Sequence, residues 1–297
     1  MPLQRHLLRP AHGVLRAGSS CLRRSVGPSI QQSRRIHHVP PLTHDEAFKK
    51  DGVPGLLSAE GFDIAWTQYQ GLMVEKLNLL TGGTPDENAT TKHLLLKYAR
   101  QADMASLFNH ASMAHNNHFF FNCITPSSKP TAMPKRLGDK LAEDFSSVDT
   151  LRREFVATAS AMFGPGFVWL VKAEGDKFRI LTTYLAGSPY PEAHNRRQPL
   201  DMNTQSAETV GGLSGADYAR MTTVQNTVGK FGPRSGQPDR PAPGGVNLVP
   251  VLCLNTWEHV YLRDWGVGGK RDFLEAWWNM IDWDVVYNNS DVKKFMT

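Results

Sequence analysis

The stretch Phe-Gly-Pro-Gly-Phe-Val-Trp-Leu-Val, residues 163–171, decides the fold class of this chain. Its last five residues, 167–171, are apolar and include the β-branched and aromatic types that favour strands. A Glu-Gly-Asp turn at 174–176 follows, and a second strand-like run extends from 178 to 184. Two such runs around a short turn with glycine predict an antiparallel hairpin. Residues 248–254 predict a third strand.

Helical patterns flank these strands on both sides. Ser58 predicts the N-terminal cap of a long helix, which the pair Gly82-Gly83 ends. The predicted helices span 58–80, 91–101, 103–121, two segments within 137–162, and the aromatic segments from Phe273 to Tyr287. Residues 39–54 are punctuated by proline and glycine, which predicts an extended lead-in. The combination predicts an α+β fold.

The distribution of prolines and of composition divides the chain into parts. Pro126, Pro130 and Pro134 separate an all-helical half from a mixed half. We therefore expect a helical hairpin domain at 39–126 and an α/β domain at 127–297. Within the second domain, about 191–246 is rich in Gly, Pro, Thr, Asn and Arg and has weak apolar periodicity. This composition predicts a long insertion on the surface, because structureless loops of that length are uncommon inside compact domains.

The basic charge of the chain belongs to its N-terminal arm. The formal net charge is +5, and the first 44 residues hold seven arginines and no acidic residue. The remainder carries 26 basic and 28 acidic residues, so it exerts no overall pull on phosphate. An arginine-rich, acid-free segment with serine and leucine is typical of a mitochondrial presequence, which we place at 1–38. The alternative is a basic tail that binds RNA.

Cysteines and hydropathy exclude other classes. No run of about 18 apolar residues predicts a membrane span. The three cysteines are Cys21, Cys123 and Cys253, and no two of them have metal-clip or redox spacing. Cys21 is expected to leave with the presequence, and the other two are expected to be reduced core residues.

Four segments together carry a resemblance to a known family. They are 57–60 with 76–78, 108–111 with 119–123, 163–171 with 186–189, and Trp257-Glu258-His259 with Tyr261, Asp264, Phe273, Trp277 and Trp283. In their order and spacing, these segments resemble the iron/manganese superoxide dismutases. The resemblance implies a helical hairpin domain followed by a domain with a three-stranded antiparallel sheet and helices, as the pattern itself predicts.

The resemblance also implies where a redox metal would be bound. In that family, three histidines and one aspartate hold iron or manganese, a donor set of neutral nitrogen and anionic oxygen. The corresponding positions here are Ala65, Asn117, Asn255 and His259. Only His259 is retained, and the anionic ligand is gone. We therefore expect no catalytic metal, no cofactor and no enzymatic activity.

Other positions near the implied centre differ as well. Tyr69 and Met73 stand where the family has its gateway histidine and tyrosine, and Met113 stands where many bacterial iron enzymes have a glutamine. A rebuilt metal site at His115 and His118, with His110 nearby, is the alternative. No carboxylate of matching spacing joins these histidines, so we expect them to be surface or packing residues.

The resemblance implies a role through association. In the family, the Glu and His of Trp-Glu-His contact each other across a two-fold dimer, and Glu258 and His259 retain both. Tyr69 and Leu262 replace a histidine and a tyrosine that meet across the same interface. We therefore predict that Tyr69, Glu258, His259 and Leu262 form a dimer interface with a second superoxide dismutase-like subunit.

A mitochondrial chain with this fold, a lost metal site and an insertion resembles the superoxide dismutase-like proteins of the fungal mitochondrial small ribosomal subunit. A structural role in that subunit is the expected function. The alternatives are an active or rebuilt dismutase and a free binding module of the matrix. Contacts with rRNA or neighbouring ribosomal proteins are predicted for the basic residues of the insertion: Arg196, Arg197, Lys230, Arg234 and Arg240.

Overall fold

A computed structural model describes residues 37–99, 101, 103–126, 131–190, 193 and 248–290. All but the last two residues of the predicted presequence lie outside these ranges. Of the predicted insertion at 191–246, only residue 193 lies within these ranges, and all five of its basic residues lie outside them. Within the described ranges, no helix is long and apolar enough to cross a bilayer.

Helices make up the first half of the described chain. They are α1 (Asp45–Asp51), α2 (Ala59–Phe62), α3 (Tyr69–Thr81), α4 (Thr91–Tyr98) and α5 (Ala105–Asn122). A π-helical turn, Asp63–Gln68, joins α2 to α3, so the long helix predicted from Ser58 is confirmed. Ser58 caps it by accepting a hydrogen bond from the Gly61 N–H, and Gly82 ends it. π-turns within helices occur often at functional sites, and this one carries Ala65.

The predicted extended lead-in was wrong at α1. Asp45 and Glu46 lie in the first turn of this helix and Lys49 and Lys50 in its last. This charge order favours a helix because it complements the helix dipole. Phe48 is fully buried and contacts the ring of Phe62, which anchors the helix on the core.

The second half combines helices with one sheet. It contains α6 (Lys135–Phe145), α7 (Val148–Ala161), β1 (Gly166–Lys172), β2 (Phe178–Tyr184), β3 (Val249–Asn255), α8 (Glu258–Trp265), α9 (Lys270–Trp278) and α10 (Trp283–Asn289). The strands form an antiparallel sheet in the order β2-β1-β3, with Trp169 opposite both Leu181 and Cys253. The predicted α+β class with a three-stranded sheet is therefore confirmed.

The sheet is buried because helices cover it. Residues 166–171 of β1 are all buried, α5 packs on β3 and α7 packs on β1. A strand covered on both faces has a continuous apolar sequence, which explains the run at 167–171. Cys123 and Cys253 are buried free thiols, as predicted, and burial raises the pKa of Cys123 to about 12.

Hydrogen bonds join the helical half of the chain to α8 in the second half. The Ser58 hydroxyl and N–H both donate to the Asp264 carboxylate in α8, at 2.7 and 2.9 Å. The indole Nε1–H of Trp265 donates to the Leu56 carbonyl at 2.8 Å. These bonds hold α8 against the start of the long helix, so residues of both elements meet at one place.

Candidate functional site

The four positions implied for metal ligands lie on four different elements. Ala65 is in the π-turn, Asn117 in α5, Asn255 at the end of β3, and His259 in the first turn of α8. The first three are fully buried. Antiparallel pairing of β3 with β1 places Asn255 opposite Phe167, at the end of the sheet where the chain turns into α8.

A network of buried amides links three of these positions. Asn255 Nδ2 donates to Asn117 Oδ1 at 3.1 Å, and Asn117 Nδ2 donates to the Ala65 carbonyl at 3.1 Å. Asn255 Oδ1 accepts from the backbone N–H of Trp257 at 2.9 Å. Each asparagine therefore uses both its donor and its acceptor inside the protein, as buried polar groups require.

Gln70, which was not among the predicted site residues, extends the amide network. Its Oε1 accepts from Asn117 Nδ2 at 3.3 Å, and its Nε2 donates to the Ala114 carbonyl at 2.9 Å. Gln70 is only 1% exposed. The signal was present in the sequence, because Gln70 shares a helix face with Met73 and Leu77, where a polar residue stands out.

These residues do not fit iron or manganese. Ala65 has no donor atom, and the asparagines offer neutral amides that are already hydrogen-bonded to each other. No carboxylate takes part in this network, so nothing would balance a dipositive or tripositive ion in a buried site. The arrangement can hold the surrounding elements together, and it gives no basis for redox chemistry.

His259 stands apart from the amides and stacks on Tyr69. The two ring centroids are 4.0 Å apart and the planes differ by 15°. Burial lowers the pKa of His259 to about 4, so its imidazole is neutral near pH 7, and burial raises the pKa of Tyr69 to about 12. The Nε2 atom of His259 is buried and has no hydrogen-bond partner among the described residues.

The predicted interface residues lie around this stacked pair. Glu258 and His259 begin α8 and are partly exposed, and Leu262, three residues beyond His259, is 38% exposed. The structure thus brings Tyr69 of the helical half to His259 of the second half. Their role as an interface stays a prediction.

The histidines of the alternative metal site have other partners. His115 Nε2 is 2.8 Å from the Tyr190 hydroxyl, and burial, with Lys92 and His118 nearby, lowers its pKa to about 4. His118 stacks on Trp66 and contacts Asn122 Nδ2 at 2.9 Å. His110 Nδ1 contacts the Ser106 carbonyl at 2.7 Å. Throughout the ranges described above, no three His, Cys, Asp or Glu side chains are grouped to hold a metal ion.

A second polar cluster, which the sequence analysis also missed, fixes the chain just before the predicted insertion. Ser112 Oγ donates to the Ala186 carbonyl at 2.5 Å, and Asn116 Nδ2 donates to the Gly187 carbonyl at 2.9 Å. Ser188 Oγ donates to Asn116 Oδ1 at 2.5 Å. All three side chains are fully buried. The i, i+4 spacing of Ser112 and Asn116 on α5 was the available signal.

Comparisons with known proteins agree with this architecture. Residues 133–205 and 215–289 match the family described as "Iron/manganese superoxide dismutases, C-terminal domain". The chain is also similar to Superoxide dismutase [Fe] of Salmonella typhimurium, at 23% identity over 244 residues, which covers 82% of this chain and 94% of that enzyme. Fold and site together define a superoxide dismutase-like protein whose metal-ligand positions hold hydrogen-bonded amides.

Two other relatives are not dismutases by name. Small ribosomal subunit protein mS43 of Schizosaccharomyces pombe is 29% identical over 257 residues, which covers 84% of this chain and 82% of that protein. Small ribosomal subunit protein mS42 of the same organism is 27% identical over 200 residues, or 66% of this chain and 71% of that protein. The chain is therefore similar both to superoxide dismutases and to small ribosomal subunit proteins, and its fold is that of the iron/manganese superoxide dismutases.

Proposed function

We propose that this chain is a structural protein of the mitochondrial small ribosomal subunit. It uses the superoxide dismutase-like fold as a non-catalytic scaffold that supports mitochondrial translation. The observation that carries the proposal is the hydrogen bond between Asn117 and Asn255, two positions where the resemblance implies metal ligands, in an amide network that Gln70 extends. Similarity to mS43 and mS42 over most of the chain supports the ribosomal role.

The site itself argues against dismutase activity. Catalysis needs an ion with changeable charge and an open position for substrate. Here the asparagine amides are hydrogen-bonded to each other. Tyr69 stacks on His259, the one histidine retained at the implied ligand positions. The site therefore lacks metal ligands and also has a different packing around His259, so a single substitution does not restore dismutase activity.

Charge favours protein neighbours over rRNA for the described body. Its residues include 16 Lys and Arg against 22 Asp and Glu, a net charge of −6 with neutral histidines. A surface of this sign repels phosphate. Contacts with rRNA are thus assigned to the basic residues predicted within the insertion, and the body is assigned to contacts with proteins.

Pairing with a second chain of the same fold would use the surface formed by Tyr69, Glu258, His259 and Leu262, called here the pairing surface. Leu262 exposes apolar area beside the partly exposed Glu258, and the stacked rings of Tyr69 and His259 form a rigid base. A rigid base loses little conformational entropy on association. Apolar area with a few polar groups is typical of an interface core.

We favour a paralogue over a second copy as the partner. A two-fold interface must be self-complementary, because each residue meets its counterpart across the axis. The histidine and tyrosine that the family resemblance implies at 69 and 262 are Tyr69 and Leu262 here, so one reciprocal polar contact is lost. A distinct chain can supply a matching surface that a copy does not have.

Sedimentation tests the proposed function directly. A mitochondrial lysate of cells that carry a tagged copy is separated on a sucrose gradient, and the tag is followed beside markers of both ribosomal subunits. We expect the protein in the small-subunit fractions. It should shift to the top of the gradient when the small subunit itself is disassembled by chelating Mg²⁺ and washing with salt. A protein found only at the top from the start would be a free matrix module instead.

A further inference from the structure

The first described residue of the chain is held by a side chain of α3. The His37 N–H donates to Asn78 Oδ1 at 2.8 Å, and Asn78 Nδ2 donates to the His37 carbonyl at 2.9 Å. One side chain thus pairs both main-chain groups of one residue, as a neighbouring strand would. Asn78 is 9% exposed, so these two bonds are largely shielded from water.

The side chain of His37 is fixed as well. Its Nε2 lies 3.0 Å from Thr81 Oγ1, one turn beyond Asn78. The Thr81 hydroxyl donates its own proton to the Leu77 carbonyl at 2.8 Å, so His37 Nε2 is the donor in the first bond. Burial, with His38 as a smaller cause, lowers the pKa of His37, which keeps the ring neutral and suited to this role.

The segment after His37 continues along the helices. The Pro41 carbonyl lies 3.4 Å from His118 Nε2 in α5, and Leu42 is 6% exposed. Residues 37–42 therefore form a strap that contacts α3 at one end and α5 further along. Removal of His37 would take two hydrogen bonds from Asn78 and one from Thr81.

We propose that the Asn78 side chain binds the main chain of His37 in the mature protein. N-terminal processing then cuts on the N-terminal side of His37. The predicted presequence then ends before residue 37 and not at 38. In the cut, a matrix peptidase adds one water across a peptide bond, which leaves a carboxylate on the released presequence and an amine on the mature chain. This inference rests on the mitochondrial destination of the proposed function.

The first test determines where the mature chain begins. The protein is purified from mitochondria, and its N-terminus is identified by intact mass and terminal sequencing. We expect a first residue at His37 or before it, close to the Arg34-Arg35 pair. A mature chain that begins at His38 or later, or a chain that keeps residues 1–33, would overturn the proposal, whatever its ribosomal association.

The second test measures protection of the folded chain. Purified mature protein is incubated with an aminopeptidase that does not cleave before proline, so unprotected trimming stops at Val39, which precedes Pro40. We expect the wild-type chain to keep His37, and Asn78→Ala to be trimmed to Val39 at least tenfold faster. Asn78→Asp retains the acceptor for the His37 N–H and should fall between them.

Matched controls separate the receptor from general stability. Asn279→Ala removes an exposed asparagine that directly follows the last residue of α9, and this variant should be trimmed like wild type. Equal trimming of wild type and Asn78→Ala would overturn the proposal. Since this assay uses purified protein, its outcome is independent of sedimentation with the ribosome, and failure of one inference is distinguishable from failure of the other.

Discussion

Asn255 donates a hydrogen bond of 3.1 Å to Asn117, and this contact joins the end of the sheet to helix α5 across 138 residues of sequence. In a dismutase, as the family resemblance implies, a metal ion would tie the same elements together. Here neutral amides make the connection. They need no counter-charge in a buried place, and they satisfy each other's donors and acceptors.

The amide pair should be energetically coupled. Asn117→Ala and Asn255→Ala are each expected to lower the free energy of unfolding by about 1–3 kcal/mol, because each leaves buried polar groups of its neighbour without a partner. The double variant should cost about 1 kcal/mol less than the sum of the two, since the second change removes a group that is already stranded. Urea unfolding of the purified chain measures all three variants. Asn279→Ala, an exposed control, should stay within about 0.5 kcal/mol of wild type, and strict additivity would mean that the two amides act separately.

The chain should carry no stoichiometric redox metal. We expect purified protein to hold far less than one iron or manganese per chain, and to show no dismutase activity above a metal-free control. The reason is the donor set at Ala65, Asn117 and Asn255, which offers no imidazole and no carboxylate. Elemental analysis after chromatography without chelators gives the metal content. One tightly bound iron or manganese per chain would refute this prediction.

Stability should fall as the solution becomes acidic. Burial lowers the pKa of both His115 and His259 to about 4, from an ordinary value of 6.5. Their contribution is fully present above pH 6.5 and is lost progressively as pH falls from 6.5 through 4, because the unfolded chain takes up these protons first. Each histidine should cost about 2 kcal/mol at pH 5 relative to pH 8.

A variant isolates this contribution of one histidine. In urea unfolding at several pH values, His115→Gln should show a shallower loss of stability between pH 7 and 5 than wild type. His93→Gln, a change at an exposed position of α4, serves as the control and should leave the slope unchanged. A slope for His115→Gln equal to that of wild type would show that this buried imidazole does not control the acid sensitivity.

Local sequence patterns predicted most of the helices and all three strands. The strands at 167–171 and 178–184 were predictable because both are rich in the β-branched and aromatic residues that favour strands, and the Ser58 cap marked a helix start through one side chain. Helix α1 was not predicted, because the flanking prolines and Gly52 dominated the pattern of that segment. Its stability depends on the tertiary contact of Phe48 with Phe62, which a local pattern does not show.

The sequence predicted which residues lie at the candidate site, but it did not predict the hydrogen bonds between them. The family resemblance brought Ala65, Asn117 and Asn255 together, but the direction of each amide bond depends on atoms placed by distant parts of the chain. Gln70 shows the same limit. Its polar side chain on a core-facing position indicated a buried role, while its partners, Ala114 and Asn117, lie on another helix.

The pairing surface gives the last prediction. Glu258→Ala combined with His259→Ala should weaken association with the paralogous partner at least about thirtyfold, because truncating one side of a buried charged contact typically costs about 2–5 kcal/mol. Tagged wild-type and variant chains are recovered from mitochondria, and the amount of superoxide dismutase-like protein that co-purifies is measured by mass spectrometry. Glu154→Ala combined with His93→Ala changes the same residue types at exposed positions elsewhere and should pair normally.

A deletion separates pairing from the other contacts of the ribosome. A chain without residues 195–243 should keep its partner, since Tyr69, Glu258, His259 and Leu262 are all retained, but it should leave the small-subunit fractions at lower salt than wild type. The purified full chain alone should be monomeric by light scattering, because Tyr69 and Leu262 replace a self-complementary contact. If the Glu258 and His259 double variant pairs with wild-type affinity, association uses another face, and the stack of His259 on Tyr69 serves the stability of the single chain only.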